Sequence, residues 1–389
     1  MKRLLTAILF VGLLLPALMP EMTALRIGTA IYAATLTYVI DPDGTGDYTS
    51  LVLAEIGTAQ DLTSGPNILR WECKSSSGGD DTDDVEIDGT TTAANAYIEI
   101  VGTDFPADGV WDGSKYNLTT TDEGFPVKIA DDYVYIDKIQ FQFVQTSTNT
   151  SRGLYVSSSS VDVRISNCLI VGSGASTGSN RGAMCYATNT RFWNCVVYGF
   201  KSGTDDDYDG IYAGTGAVDL WNCTFNDCRK GLTRAAATTT ATNCLIFECD
   251  DDFSGTITMT YCASDDDHTG DSATNFVITQ TDDDYAALVT DADGRDYSVT
   301  DASSELVGAG TDDPGGAYQD NTDITETARS STWDVGAFEG PSGAPPPSSI
   351  PVFLHHYKMM RSQVVPFAIP SAVILLSVIL FGRSRRCDA

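Results

Sequence analysis

Four residues that stand immediately before a glycine, Arg152, Arg181, Asp209 and Lys230, recur through the middle of the chain, and two positions after the same glycines come Tyr155, Met184, Tyr212 and Thr233. Charged groups beside tyrosine rings suit sugars, because a ring offers an apolar face to stack on while the charged groups bond hydroxyls or carboxylates. Arg152, Tyr155, Arg181, Asp209, Tyr212 and Lys230 are therefore the candidate substrate-binding residues. The plain competing reading is that charged turn residues and tyrosines only solvate an outer face.

Other chemistries find less support. The three histidines are His268, His355 and His356, two of them in a C-terminal tail, so His-dependent triads and His-rich metal sites are poor expectations. Acidic runs at 80–84, 205–207, 250–252, 265–267 and 282–284 supply oxygen ligands of the kind Ca²⁺ uses, yet neither DPDGTGD (41–47) nor DADGRD (291–296) completes an EF-hand loop with its terminal Glu. Acidic surface turns explain the runs more simply; no cofactor is expected, and Ca²⁺ is the alternative. With 23 basic against 53 acidic residues the formal charge is −30, which excludes nucleic acid as a partner, since phosphate binding needs clustered Lys and Arg.

The elements that must position the candidate residues follow from an internal repeat. Asn-Cys pairs line up at ISNCLIV (165–171), FWNCVVY (192–198), LWNCTFN (220–226) and ATNCLIF (241–247), with a degenerate copy, MTYCASD, at 259–265. Each pair lies a fixed step after a Gly: 14 residues from Gly153, then 12 each from Gly182, Gly210 and Gly231. A constant step beside repeat periods of 27, 28 and 21 residues means a unit of fixed path length, which is the mark of a solenoid. Stretches such as VDVRI, YVYIDKI and TITMT alternate at period two, and the acids divide into 43 Asp and 10 Glu, so the unit is built of short strands and turns rather than helices.

Short strands stacked coil on coil make a parallel β-helix. The opening DPDGTGDYTSL (41–51), the coil DDYVYIDKIQF (131–141) and the closing stretch from SSELVGAGT (303–311) to WDVGAFEG (333–340) resemble the right-handed parallel β-helix family of pectin-lyase-like proteins. The resemblance covers most of residues 36–340. It implies an all-β right-handed solenoid whose Cys column (Cys168, Cys195, Cys223, Cys244, Cys262) points into the coil interior as small buried hydrophobes, with the Asn column in or beside a turn. Cys228 and Cys249 form a second column. The nine Cys of the body are an odd number, so complete internal pairing is impossible, and no C-x-x-C spacing speaks for zinc. Extra residues fall on two neighbouring coils at one point, GSGASTGSNR (172–181) and GFKSGTDDDYD (199–209), where loops on one edge of a solenoid build a binding wall.

Both ends are punctuated. Residues 1–33 read as a secretory signal peptide, with Lys2 and Arg3 before an apolar run broken by Pro16 and Pro20. The β-helix domain with terminal caps spans 34–340, a Pro/Ser-rich linker and juxtamembrane segment 341–363, an uncharged apolar transmembrane helix 364–382 and a basic tail 383–389. The expected protein is secreted, displayed on the cell surface and held to the membrane by its C-terminal helix. It binds polysaccharide or another cell-surface partner without catalysis. The alternative is a polysaccharide lyase or glycoside hydrolase of the same fold, for which 205–209 with Arg181 or Lys230 would supply the acids and base. Catalytic and metal-binding residues are not assigned.

Overall fold

The period-two patterns form strands, and the strands sort into three parallel sheets that wind around one interior. In this computed structural model the described residues lie within 35–340, apart from 65–66, 122–123, 147–149, 175–177, 202–207, 265–271, 275–277, 280–288, 300–304, 313–320 and 331. A ten-stranded sheet runs from Thr35–Ile40 to Ser272–Thr274, an eight-stranded sheet from Asn117–Thr120 to Ile278–Thr279, and a seven-stranded sheet from Val85–Ile87 to Asp251–Ser254. From Tyr97–Gly102 to Asp251–Ser254 each coil visits them in that cyclic order, as in Val163–Ser166, Leu169–Ser173 and then Ala183–Cys185. Every neighbouring strand pair in the sheets is parallel, in the register that the Asn-Cys alignment predicts; Ile165 faces Phe192, and Val196 faces Thr224. This is a right-handed parallel β-helix, the hand that parallel crossovers take.

Alternation decides what faces inward. In the ten-stranded sheet Leu69, Ile98, Val134, Val163, Phe192 and Leu220 fill the interior, and in the seven-stranded sheet Val127, Leu154, Ala183, Ile211 and Leu232 do so. The Asn column occupies the tight corner between the ten- and eight-stranded sheets. Asn167, Asn194, Asn222 and Asn243 have φ between 50° and 54°, a left-handed conformation that Asn tolerates better than most residues. Their amides form a ladder, Asn194 Nδ2 donating to Asn167 Oδ1 at 3.0 Å and Asn243 Nδ2 to Asn222 Oδ1 at 3.0 Å. The Cys column follows at once, wholly buried, and the nine described thiols, Cys228 and Cys249 included, are all free.

Two elements close the coil. Helix α1, Leu51–Thr58, buries Leu51, Ala54, Glu55 and Thr58 over the first coils, and its Leu51 N–H donates to the buried Asp81 carboxylate at 2.8 Å. The eight-stranded sheet is buried on both faces. Its outer side chains, among them Leu169, Val196, Tyr198, Leu245 and Phe247, are covered by a closing segment that brings Tyr297, Leu306, Ile324, Val335 and Phe338 against them. The segment that resembles a family terminus therefore lies along the flank of the solenoid. Arg329, wholly buried, anchors it: Nη2 donates to Asn194 Oδ1 at 3.1 Å and to the Gly336 and Ala337 carbonyls, while Nη1 meets Glu339 at 3.3 Å.

Among the described residues no helix is long and apolar enough to cross a membrane. The expected signal peptide, linker, transmembrane helix and basic tail lie outside the described residues, as do the acidic runs at 205–207, 265–267 and 282–284 and the tips of the two inserted loops.

Candidate binding face on the seven-stranded sheet

The repeat glycines stack because nothing larger fits between coils. A Cβ on Gly153 would lie 2.2 Å from the Gly182 carbonyl oxygen, one on Gly182 2.5 Å from that of Gly210, and one on Gly210 2.7 Å from that of Gly231. This contact fixes the phase of each strand of the seven-stranded sheet. One residue on, Leu154, Ala183, Ile211 and Leu232 point inward, and the next, Tyr155, Met184, Tyr212 and Thr233, form an outward row in register. The row continues through Lys128 to Glu86, which pair with each other.

The tyrosines do not stand alone. Phe125 and Tyr155 have ring centroids 4.2 Å apart, Tyr155 and Tyr186 5.8 Å, and Tyr186 and Tyr212 6.4 Å, so four rings make a continuous strip across successive coils. Sequence reasoning missed Phe125 and Tyr186 because they flank the strands rather than repeat within them; Tyr186 follows Cys185 where the strand ends, and fills the gap that Met184 leaves in the tyrosine row. Arg152 lies 4.7 Å from the Phe125 ring centroid, and Arg181 lies 4.3 Å from that of Tyr212. The Nε of Arg152 is buried without a hydrogen-bond partner.

The charged row is less exposed than its sequence suggests. Arg181 and Asp209 are buried and pair with each other, Arg181 Nε to Asp209 Oδ2 at 2.6 Å, and the Thr233 hydroxyl donates to Asp209 Oδ1 at 2.5 Å. Burial pushes the Asp209 carboxyl above its ordinary range, against the pull of Thr233 and Arg181. The expectation that all of these charged residues meet a ligand is thus corrected for two of them: Arg181 and Asp209 are buried where strands of this sheet begin, and their opposite charges satisfy each other across adjacent coils. Arg181 serves by holding Tyr212. Arg152, Tyr155, Tyr212 and Lys230 keep partial exposure, and Lys230 lies in register between Asp209 and Asp251.

The connections from Gln140–Val144 to Leu154–Val156, from Leu169–Ser173 to Ala183–Cys185 and from Val196–Tyr198 to Asp209–Ala213 all run from the eight-stranded sheet to this one. Where the turn is short, at 227–229, Cys228 fills the corner beneath Gly210, its sulfur 3.2 Å from a Cβ placed there. Among the described residues no group of three or more His, Cys, Asp or Glu is arranged to hold a metal ion.

No family model matches the sequence, and no curated protein matches it. Among solved structures, the crystal structure of pectate lyase Pel9A is similar over 80% of this chain and 98% of its own, at 15% identity and a TM-score of 0.39. The fold assignment stands on the three parallel sheets and their register.

Proposed function

We propose that the protein is an extracellular, surface-displayed β-helix that binds a polysaccharide along the outer face of its seven-stranded sheet, without catalysis. The observation that carries this reading is the four-ring strip of Phe125, Tyr155, Tyr186 and Tyr212 with Arg152 and Arg181 set on its rings. Neighbouring coils advance by ~4.8 Å, so an extended polymer can lay successive rings along the stack. Binding rather than turnover is supported by the pairing of two acids of this face with cations, Asp209 with Arg181 and Glu86 with Lys128. Display at the surface is supported by the apolar run 364–382 and the charged start of the chain.

Affinity electrophoresis through gels containing acidic or neutral polysaccharides tests the face. At least one polymer should retard the native protein, and the combined variant Tyr155→Ala, Tyr186→Ala, Tyr212→Ala should migrate as it does in an empty gel. Retardation undiminished by the three substitutions refutes the strip as the site. Unsaturated products or new reducing ends released by the native protein would make it a lyase or hydrolase instead.

A further inference from the structure

The outer face of the ten-stranded sheet carries a cleft that the six candidate residues do not touch. Two in-register columns form its floor: Glu99, Tyr135 and Arg164 in one, Asp137, Ser166 and Trp193 in the other. Its wall is the closing segment, which contributes Thr322 and Glu326, and the Glu326 carboxylate pairs with Lys138. Lys138 takes the left-handed corner position, φ 58°, that Asn fills in later coils. One exception in the Asn column thereby fastens the closing segment across the sheet. The cleft, open on its solvent side, has a volume of about 370 Å³, at the small end of ligand sites and the size of one or two sugar rings.

The floor is rigid and has hydrogen-bonding capacity left over. Tyr135 is held between Tyr97, with ring centroids 4.6 Å apart, and the Arg164 guanidinium at 4.3 Å. Arg164 spends Nε and Nη2 on Asp162, at 3.2 and 2.7 Å, which leaves Nη1. Glu99 spends Oε2 on Arg70 at 2.8 Å, which leaves Oε1. Burial raises the Tyr135 phenol above its ordinary value, so it stays an O–H donor at neutral pH. Both cations in the lining, Arg164 and Lys138, already have carboxylate partners. A donor, an acceptor and a hydroxyl around an aromatic floor, with neither cation free, match a polyhydroxylated neutral ligand rather than an anion.

We propose that this cleft, independent of the face on the seven-stranded sheet, binds one or two rings of a neutral saccharide. Saturation-transfer NMR on the full-length protein, titrated with cellobiose, maltose and xylobiose and with digalacturonate as the anionic control, tests it. At least one neutral disaccharide should bind and digalacturonate should not. Tyr135→Phe and Glu99→Gln should each weaken that binding on the order of tenfold, the worth of a hydrogen bond involving a charged or buried group, with the melting transition retained as the check on folding. The combined Tyr155→Ala, Tyr186→Ala, Tyr212→Ala variant should bind the disaccharide as the native protein does, whatever its polysaccharide retardation. Failure of all three neutral disaccharides to bind, equal binding of digalacturonate, or full binding by both cleft variants overturns the proposal. Loss of retardation by polysaccharide in the strip variant bears on the other face alone.

Discussion

Gly182 and its stacked counterparts allow the coils to approach closely. Replacing Gly182 with Ala would set a methyl 2.5 Å from the Gly210 carbonyl oxygen and 2.9 Å from the Phe200 ring. The coils must part or the ring must turn, so we expect a loss of about 1–3 kcal/mol in urea unfolding, as for other overpacked interiors. The Cys column has the opposite character. Burial pushes the thiols of Cys195, Cys223, Cys244 and Cys262 well above the usual thiol range, so iodoacetamide should label none of them in the native protein at pH 8 and all of them in urea, as read by peptide mass spectrometry. Cys223→Ala should cost on the order of 1 kcal/mol through a small cavity. A Cys223 link to Cys228 or Cys244 in non-reducing digests would contradict the free column. The Cys role was legible in the sequence, because a residue repeated at one step of a solenoid keeps one environment; the Gly spacing was legible too, but not the close approach it permits. The pairing of Arg181 with Asp209 was not legible, because it joins adjacent coils and rests on a burial that spacing alone does not set.

At the scale of elements the closing segment holds the larger surprise. Its sequence resembles a family terminus, and its position along the eight-stranded sheet explains why that sheet carries Leu169, Val196, Leu245 and Phe247 outward as well as Cys168, Ile170, Val197 and Ile246 inward. The Asn column meets it directly: Asn194 Nδ2 donates to the Thr322 carbonyl at 2.8 Å, and Asn243 exchanges bonds with Thr311 at 2.9 Å each way. Arg329 closes this contact, and Arg329→Met would leave Glu339 buried without its cation. We expect a loss of about 3–5 kcal/mol, with limited proteolysis cutting within 321–340 before the coils. Unchanged protease resistance in a variant of lowered stability would show that the segment does not release separately.

For the whole molecule, a formal charge of −30 makes pH a lever on stability, and one carboxyl has a separable effect. Asp131, beneath the N-terminal helix, is raised to about 7, first by burial and then by Glu55, Asp88 and Asp132, while the Thr90 N–H bonds it at 2.9 Å. Glu55 is raised as well, again chiefly by burial, although the Gly89 and Asp88 N–H groups pull it down. A carboxyl raised on folding holds its proton more firmly in the native state. Its stabilising contribution is therefore full below the ordinary carboxyl value of 3.8 and is lost as pH rises through about 7. Asp131→Asn keeps an oxygen for Thr90 and removes the titration. It should flatten the stability profile between pH 4 and 7 and raise stability at pH 8 by on the order of 2 kcal/mol, measured by urea unfolding across that range. A profile parallel to that of the native protein would rule out this residue as the source.

The sequence by itself determined the solenoid, the parallel register, the interior columns and the outward step at Tyr155 and Tyr212. All of these repeat, and repetition converts spacing directly into position. Tertiary structure decided what does not repeat. Phe125 and Tyr186 join the tyrosines because side chains from outside the repeated strand positions come into ring contact with Tyr155 and Tyr212. Arg181 and Asp209 turn to each other because both are buried. The cleft at Tyr135 exists because residues 321–330, far along the chain from 135, fold back over the sheet and meet Lys138. Local pattern sets which face a side chain takes; only the closed chain brings together faces separated by nearly two hundred residues, as Lys138 and Glu326 are by 188.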